Sequence, residues 1–286
     1  MAQVKLRDAH LQFKNFLKTK GRSSATIVAY GKDIDQLVGF LETIEKQHVH
    51  EVKKEDIEAF LGKLTKEGYT PKSISRKINS TRTFYRFLKV SEFVTDDPSL
   101  LIAHPQYQLG APRILTSTEY RALRDAARND ARMHAVIQLL LQTGVRIGEL
   151  AELRLSDITP EGLKIRPVEK HEERIVPVNA AAKEALDRYL KIRPQVKDDH
   201  IFVTKSGRPF LIRNIRTAVE RYFRLADIKG AKVNDLRHTF IAHHLKHGVS
   251  LVLLSKVVGH KRLSTTERYL EYVKDRAKEN THLTEL

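Results

Sequence analysis

The chain contains no cysteine, and this absence limits its possible chemistry at once. Disulfide bonds, thiolate catalysis and any zinc site that needs cysteine ligands are excluded. Long apolar runs are missing too. None approaches the roughly 20 residues that cross a bilayer, and the segment Met1–His10 has no apolar signal core. We therefore expect a cytoplasmic protein that has no membrane partner.

The charge of the chain is strongly one-sided. Lysine and arginine together number 51, against 35 aspartate and glutamate residues, and the formal net charge is +16. A surplus of this size indicates a polyanionic partner. Membrane surfaces also attract cations, but the basic stretches lack a flanking apolar anchor, so nucleic acid is the preferred partner.

Basic residues concentrate in two stretches without aspartate or glutamate, one between Glu67 and Glu92 and the other from Thr204 to Val219. A solvated helix face would also carry basic side chains, but the complete absence of acids favours surfaces that face DNA. The predicted DNA contacts are Lys72, Arg76, Lys77, Arg82, Arg86, Lys205, Arg208 and Arg213.

The first hundred residues follow a helical period. Apolar side chains recur at helical spacing in Leu6–Leu17, and further helices are predicted to begin near Ser23 or Ser24, at Lys54 and at Pro71. Short connections between such helices are typical of a small bundle.

The helical period breaks at residues 104–113, where prolines and a glycine interrupt it. We interpret this stretch as a linker. It separates an N-terminal helical DNA-binding domain, residues 1–103, from a C-terminal domain, residues 114–286.

The pattern changes again inside the C-terminal domain. An apolar helix, Ala135–Gln142, ends at Gly144, and short strands are then predicted at Leu153–Ile158, Leu163–Val168 and Arg174–Val178. Helices follow up to the tail. The expected fold is therefore mainly α-helical with a small antiparallel β-sheet.

Four short segments carry the residues that point to chemistry. In chain order they are Thr-Gly-Val-Arg-Ile-Gly-Glu-Leu at 143–150, Asn-Asp-Leu-Arg-His-Thr-Phe at 234–240, Gly-His at 259–260, and Ser-Thr-Thr-Glu-Arg-Tyr at 264–269. Arginines stay charged and bind phosphate oxygens through paired N–H groups, and a tyrosine can attack phosphorus to form a phosphotyrosine. The set indicates a covalent reaction on a phosphodiester.

These segments, in this order and with Tyr269 nine residues after His260, resemble the tyrosine recombinase family, also called the lambda-integrase family. The likeness is greatest to its Xer-like and transposon-encoded members. It covers nearly the whole chain and is strongest from Leu115 to Tyr272. It implies a SAM-like, core-binding N-terminal helical domain, an α+β catalytic C-terminal domain, and a reaction without metal or nucleotide cofactor.

The resemblance assigns the phosphate clamp to Arg146 and Arg237. Glu149, three residues after Arg146, would support that arginine, although a simple helix-surface pair is the alternative. Asn234 stands where the family usually has histidine or lysine. An amide donates a hydrogen bond to phosphate but exchanges no proton near neutral pH, so we expect Asn234 to position the phosphate.

The resemblance makes Tyr269 the nucleophile and His260 a partner of the phosphate or of the moving proton. Tyr272 is the rival nucleophile, because it lies three residues later on a similar helix face. His238 is expected to be structural, since neighbouring residues on a helix point in different directions.

Lys170 is the predicted acid that protonates the 5′-oxygen leaving group, because the family places a lysine on this hairpin. Counted back from Arg174, the usual lysine position falls at Glu169, so Lys170 is offset by one residue. An exposed turn lysine is the alternative. His243, His244 and His247 have metal-ligand spacing, but the family needs no metal, and we expect structural or surface roles for them.

The expected function is site-specific recombination of double-stranded DNA by a homotetramer on two sites, with a dimer on each site, through 3′-phosphotyrosine and a four-way junction. A type IB topoisomerase shares the chemistry, and a non-catalytic DNA-binding protein could share the fold. We expect the protein to be cytoplasmic and associated with DNA.

Overall fold

The structure is a computed structural model that describes residues 3–107, 110–167 and 172–278. The chain divides into two compact units, Met1–Leu109 and Gly110–Leu286. Each unit has a hydrophobic core of its own. Within the described ranges, no helix has both the length and the apolar character that a bilayer span requires.

The first unit is a helical bundle, as the periodicity predicted. Its helices are α1 (Leu6–Thr19), α2 (Ser24–Thr43), α3 (Lys54–Lys66) and α4 (Pro71–Val90). Local chemistry fixes where two of them begin. The Ser23 hydroxyl accepts a hydrogen bond from the Thr26 amide at the start of α2, and Thr70 does the same for Ser73 at the start of α4.

Aromatic side chains fill the centre of this bundle. The ring centroids of Phe13 and Phe84 lie 5.2 Å apart in an edge-to-face arrangement, and Phe87 packs beside both. The face of α4 that is turned to this core consists of buried residues: Ile74, Ile78, Thr81, Tyr85 and Leu88.

The second unit contains the remaining elements. Its helices are α5 (Ser117–Ala127), α6 (Ala131–Thr143), α7 (Ile147–Glu152), α8 (Ala180–Ile192), α9 (Ile212–Leu225), α10 (Val233–Lys246), α11 (Leu251–Val258) and α12 (Ser264–Lys278). Helix α6 is almost wholly buried and packs against both α8 and α10. It therefore forms the centre of the unit.

A small antiparallel sheet lies beside these helices, with strand order β1 (Ile158–Thr159), β2 (Gly162–Ile165) and β3 (Arg174–Val176). The register places Leu163 opposite Val176. The predicted fold class, mainly α with a small antiparallel sheet, is confirmed.

The first predicted strand, Leu153–Ile158, is wrong over most of its length. Residues Leu155–Asp157 form a 3-10 turn, and only Ile158 belongs to β1. The turn forms because the buried Asp157 carboxylate accepts hydrogen bonds from the Arg154 amide and the Arg166 side chain. This local bonding competes with a strand. The third strand also ends earlier than predicted, at Val176, directly before Pro177.

Two glycines in left-handed conformation end helices near one another in space. Gly144 ends α6 with φ 62°, and Gly259 ends α11 with φ 69°. A Cβ at Gly144 would overlap the Phe240 ring, and one at Gly259 would lie 2.8 Å from an Arg174 guanidinium nitrogen. Both turns therefore need glycine, because the backbone is left-handed there and a side chain would not fit. The candidate site forms around these two turns.

Candidate active site

Arg146 lies at the start of α7, directly after the turn at Gly144 and Val145. Its Nη1 donates to Glu149 Oε1 at 2.8 Å, and its Nη2 donates to the Gly259 carbonyl oxygen at 2.8 Å. The guanidinium thus joins the ends of α6 and α11, and the half-buried side chain is held in one place.

Glu149 is the buried centre of an ion-pair network, with only 7% of its surface exposed. It accepts hydrogen bonds from the Arg146 amide and side chain, and from both terminal nitrogens of Arg174 at 2.8 and 3.0 Å. Burial alone would raise the pKa of Glu149, but the Arg174 and Arg146 hydrogen bonds and charges hold it below its usual value. The carboxylate is therefore ionised at neutral pH.

Arg174 is a member of this network to which the sequence analysis assigned no role. It extends from β3, and its Nε donates to the Val257 carbonyl oxygen at 2.8 Å. The signal was available in the sequence, because Arg174 begins β3 and is followed there by two apolar residues. Its bidentate pairing with Glu149 links the sheet to α7, and its bond to Val257 links the sheet to the end of α11, just before His260.

Arg237 lies on α10, and only 5% of its surface is exposed. Its two terminal nitrogens donate to the carbonyl oxygens of Gly144, at 2.5 Å, and Val258, at 2.7 Å. Burial, followed by the nearby charge of Arg146, lowers the pKa of Arg237 to about 9. A buried arginine keeps its charge, and an anion bound beside it would offset the burial and the repulsion from Arg146.

His260 follows the turn at Gly259, and its Nδ1 lies 2.8 Å from the hydroxyl of the fully buried Thr266. Burial, with the charges of Arg237 and Arg146, lowers the pKa of His260 to about 4. The imidazole is therefore neutral. When Thr266 donates its hydroxyl proton to Nδ1, Nε2 carries the ring proton and can donate it to a phosphate oxygen.

Tyr269 extends from α12 into the same region, with 7% of its surface exposed. Its ring stacks near that of His260, with centroids 6.5 Å apart. Burial raises the pKa of Tyr269, and the charges of Arg237 and Arg268 act in the opposite direction. Tyr272, the rival, is half-buried further along the same helix.

His238 contacts the Tyr269 hydroxyl, which the sequence analysis did not anticipate. Its Nδ1 lies 2.5 Å from Tyr269 Oη. Asn234 lies one turn earlier on α10, and its side-chain amide is 2.8 Å from His238 Nε2. The spacing of four residues between Asn234 and His238 was the available signal, because such residues face each other on a helix.

The structure thus brings together Arg146, Arg237, His260 and Tyr269, and Asn234 reaches the tyrosine through His238. Lys170, the predicted acid, lies outside the described residues.

Metal-ligand spacing occurs in one group of the described residues, Asp198, Asp199 and His200. These side chains already have partners. His200 bonds to Asp198, and Arg154 bonds to Asp199. His244 and His247, from the cluster noted in the sequence, bond to carbonyl oxygens of their own helix.

The basic residues predicted to contact DNA separate into exposed and occupied side chains. Lys72 and Arg86 are exposed on α4, and Arg76 is exposed there too, although its guanidinium is paired with the buried Asp33 carboxylate. Lys77 is a correction: only 3% of its surface is exposed, and its ammonium bonds to the buried Asp33 at 2.9 Å. It holds α4 against α2 and does not lie on the surface.

Arg82 is also occupied by contacts within its own unit. Its guanidinium donates to the carbonyl oxygens of Ser99 and Ile102 and lies 3.1 Å from His104 Nε2. The side chain anchors the end of the first unit. In the second unit, Lys205, Arg208 and Arg213 are exposed, as a DNA contact requires.

Comparison with known proteins decides the family. The family model described as the phage integrase family matches residues 113–276, and the phage integrase N-terminal SAM-like domain matches residues 11–92. The chain belongs to the phage integrase family. The N-terminal match covers the helical bundle, and the other match covers the site around Tyr269.

Similar proteins of this integrase family are named tyrosine recombinases. Tyrosine recombinase XerD of Halalkalibacterium halodurans is 31% identical over 94% of this chain and 94% of that protein. Tyrosine recombinase XerC of Thermodesulfovibrio yellowstonii is 31% identical over 90% of this chain and 89% of that protein. The family resemblance seen in the sequence is confirmed.

A solved structure has the same fold. A lambda integrase tetramer bound to a Holliday junction matches 91% of this chain and 78% of that chain, with a TM-score of 0.74 and 18% identity. At this identity the match shows the fold alone, and that fold is the one expected from the sequence.

Proposed function

We infer that this protein is a tyrosine site-specific recombinase that cuts and rejoins double-stranded DNA. The observation that carries the proposal is the convergence of Arg146, Arg237 and His260 around the hydroxyl-bearing ring of Tyr269. The similar proteins bear the name of this enzyme class.

The arginines bind the scissile phosphate in the proposed reaction. Arg146 and Arg237 both donate to carbonyl oxygens at the end of α11, so their positions are fixed before DNA binds. Fixed guanidinium groups stabilise the charge that develops on the nonbridging oxygens, and they need no reorganisation. His260 Nε2 donates a further hydrogen bond to the same phosphate.

Tyr269 is the proposed nucleophile. Its phenolic oxygen forms a bond to phosphorus while the bond from phosphorus to the 5′-oxygen breaks, which leaves a 3′-phosphotyrosine and a 5′-hydroxyl. The 5′-hydroxyl of a partner strand then attacks the phosphotyrosine and releases the enzyme. The covalent link conserves the energy of the phosphodiester, so the exchange needs no nucleotide cofactor.

Lys170 is the proposed acid that gives the departing 5′-oxygen its proton. A 5′-bridging sulfur leaves without protonation, so it separates this role from the others. Cleavage by Lys170→Ala should be slow on ordinary DNA and restored on the 5′-thio substrate. If 5′-thio DNA does not restore cleavage, Lys170 is not the acid.

Both domains are proposed to contact one duplex. The N-terminal domain, residues 1–103, would use Lys72, Arg76 and Arg86, and the catalytic domain, residues 114–286, would use Lys205, Arg208 and Arg213. Residues 104–113 would link them. We propose that two sites assemble into a homotetramer, with a dimer on each site. Solved lambda integrase structures include a dimer bound to a core site and a tetramer bound to a Holliday junction. We place the protein on DNA in the cytoplasm.

Covalent capture tests the proposal and identifies the target at the same time. The protein is incubated with a library of nicked duplexes, in which the cut fragment diffuses away and the adduct persists, and the attached DNA is sequenced. We expect enrichment of one site and no adduct with Tyr269→Phe. Adducts without sequence preference, together with relaxation of any supercoiled plasmid, would indicate a topoisomerase. Binding without any adduct would indicate a non-catalytic protein.

A further inference from the structure

A row of hydrogen bonds ends on the reactive oxygen of the candidate site. The Asn234 amide nitrogen Nδ2 lies 2.8 Å from His238 Nε2, and His238 Nδ1 lies 2.5 Å from Tyr269 Oη. Asn234 is exposed, His238 is half-buried, and Tyr269 is buried, so the row runs from the surface into the site. The hydrogen bonds that fix Arg146 and Arg237 do not involve Asn234 or His238.

The phenolic proton must leave when Tyr269 attacks, and most of the site cannot receive it. Arg146 and Arg237 have no acceptor atom. The Nδ1 atom of His260 is already hydrogen-bonded to the Thr266 hydroxyl. Among the described residues, His238 is the titratable side chain that is hydrogen-bonded to the Tyr269 hydroxyl.

His238 is in the protonation state that a base requires. Burial lowers the pKa of His238, with Arg237 acting in the same direction and Asp235 against it, so the ring is neutral near pH 7. Its neighbour Arg237 faces the ends of α6 and α11, while His238 faces α12. Arg237 is therefore placed to contact the phosphate, and the adjacent His238 is placed to contact the tyrosine hydroxyl.

Asn234 can decide which ring nitrogen carries the proton. An amide presents an oxygen or an NH₂ group in nearly the same volume, and its hydrogen bonds set its orientation. The structure points the amide nitrogen Nδ2 at Nε2. A half-turn of the amide places its oxygen there instead, and Nε2 then keeps its proton while Nδ1 is left to accept one. A neutral amide holds a catalytic imidazole in this way in cysteine proteases.

We propose that His238 is the general base that takes the proton of Tyr269, and that Asn234 is a positioning residue that holds His238 in the accepting tautomer. This inference rests on the proposed function. As the bond from oxygen to phosphorus forms and the 5′-oxygen leaves, the phenolic proton moves to Nδ1. The 5′-oxygen receives its own proton from the separate acid. In rejoining, His238 returns its proton to the departing tyrosine oxygen.

The residue usual at position 234 in this family can carry a proton, and asparagine cannot. The proposal accounts for that substitution, because the proton-accepting atom moves one helical turn, from position 234 to position 238. Asn234 then acts on the imidazole, and the phosphate needs no contact from it.

The test compares two variants of His238 on the captured site. His238→Asn keeps a polar group where Nδ1 stands, so it preserves the hydrogen bond and the fold, but it cannot take a proton. We expect cleavage about 100-fold slower or more, the usual range for loss of a general base, with unchanged DNA affinity. His238→Ala should be equally slow and should recover when imidazole is added.

A second substrate separates the base from the acid. DNA with a 5′-bridging sulfur should not restore cleavage by His238→Asn, because attack by the tyrosine remains slow, whereas it should restore Lys170→Ala. Asn234→Ala should lower the cleavage rate without weakening DNA binding, and Asn234→Asp, which still accepts from Nε2, should retain cleavage. His243→Ala, an exposed histidine on the same helix, is the matched control.

If His238→Asn cleaves the captured site as fast as the wild-type protein does, the inference is overturned and the proposed function stays intact. Failure of imidazole to restore His238→Ala, or restoration of His238→Asn by 5′-thio DNA, would also overturn it. No adduct from the wild-type protein would instead contradict the proposed function itself. Circular dichroism of each variant identifies misfolding. If His238→Ala is misfolded, His238→Asn and the variants Asn234→Ala and Asn234→Asp decide the outcome.

Discussion

Replacement of Glu149 by glutamine should destabilise the protein strongly, although the side chain keeps its size. Each carboxylate oxygen accepts two hydrogen bonds, one from Arg146 and one from Arg174. Glutamine retains one oxygen and points an NH₂ group at the other two donors. Removing one partner of a buried ion pair costs about 3–5 kcal/mol, because the remaining charges stay buried.

We expect the free energy of unfolding to fall by about 3 kcal/mol in Glu149→Gln. Urea unfolding followed by far-ultraviolet circular dichroism measures this as a shift of the midpoint at constant slope. Glu152→Gln is the matched control, because Glu152 lies on the same helix with 64% of its side chain exposed. Its change should stay within about 0.5 kcal/mol.

Equal stability of Glu149→Gln and Glu152→Gln would refute the reasoning, since the network would then contribute no more than a surface charge. Cleavage gives a second readout. Arg146 loses its anchor in Glu149→Gln, so adduct formation on the captured site should also slow while Glu152→Gln cleaves normally.

Two further predictions concern buried charge. The native His260 has a pKa of about 4, against an ordinary value of 6.5, so between those values the unfolded chain binds a proton here that the native chain does not. Stability should therefore fall as pH is lowered from about 7.5 to about 5, and urea midpoints should show a smaller fall in His260→Gln. In the first unit, Asp33→Asn removes the buried partner of Lys77 and should lower the free energy of unfolding by about 3 kcal/mol. Asp35→Asn, which breaks an exposed pair with Arg7, should cost about 1 kcal/mol or less. Similar losses in the two aspartate variants would contradict the burial argument.

The parts of the fold that were predictable are those decided within a few residues of sequence. Ser23 and Thr70 begin helices through their own hydroxyls, and Gly144 ends one through its own backbone. The motif residues Arg146, Arg237, His260 and Tyr269 were recognisable for a similar reason, because each lies in a short segment with a definite order. The structure places them in one site.

The features that were missed depend on partners distant in the chain. Lys77 is buried because Asp33, 44 residues earlier, lies opposite it on another helix. His238 meets Tyr269, 31 residues later, only because α12 packs against α10. Neither contact has a periodic signature in the sequence. Basic composition therefore predicted Lys77 to contact DNA, and helix geometry predicted a structural role for His238.

The strand error has a local origin. Leu153–Ile158 has a strand-like composition, but Asp157 can bond back to the Arg154 amide and form a turn. The apolar pattern favours an extended strand, but the hydrogen bond to the Asp157 carboxylate stabilises the turn instead.

The central claim is that the phenolic oxygen of Tyr269 forms the covalent link to DNA. The most direct measurement is protease digestion of the trapped adduct, followed by mass spectrometry that locates the nucleotide on one residue. We expect modification of Tyr269 alone, with loss of the adduct in Tyr269→Phe and its retention in Tyr272→Phe. A nucleotide on Tyr272, or an adduct that survives Tyr269→Phe, would contradict the claim.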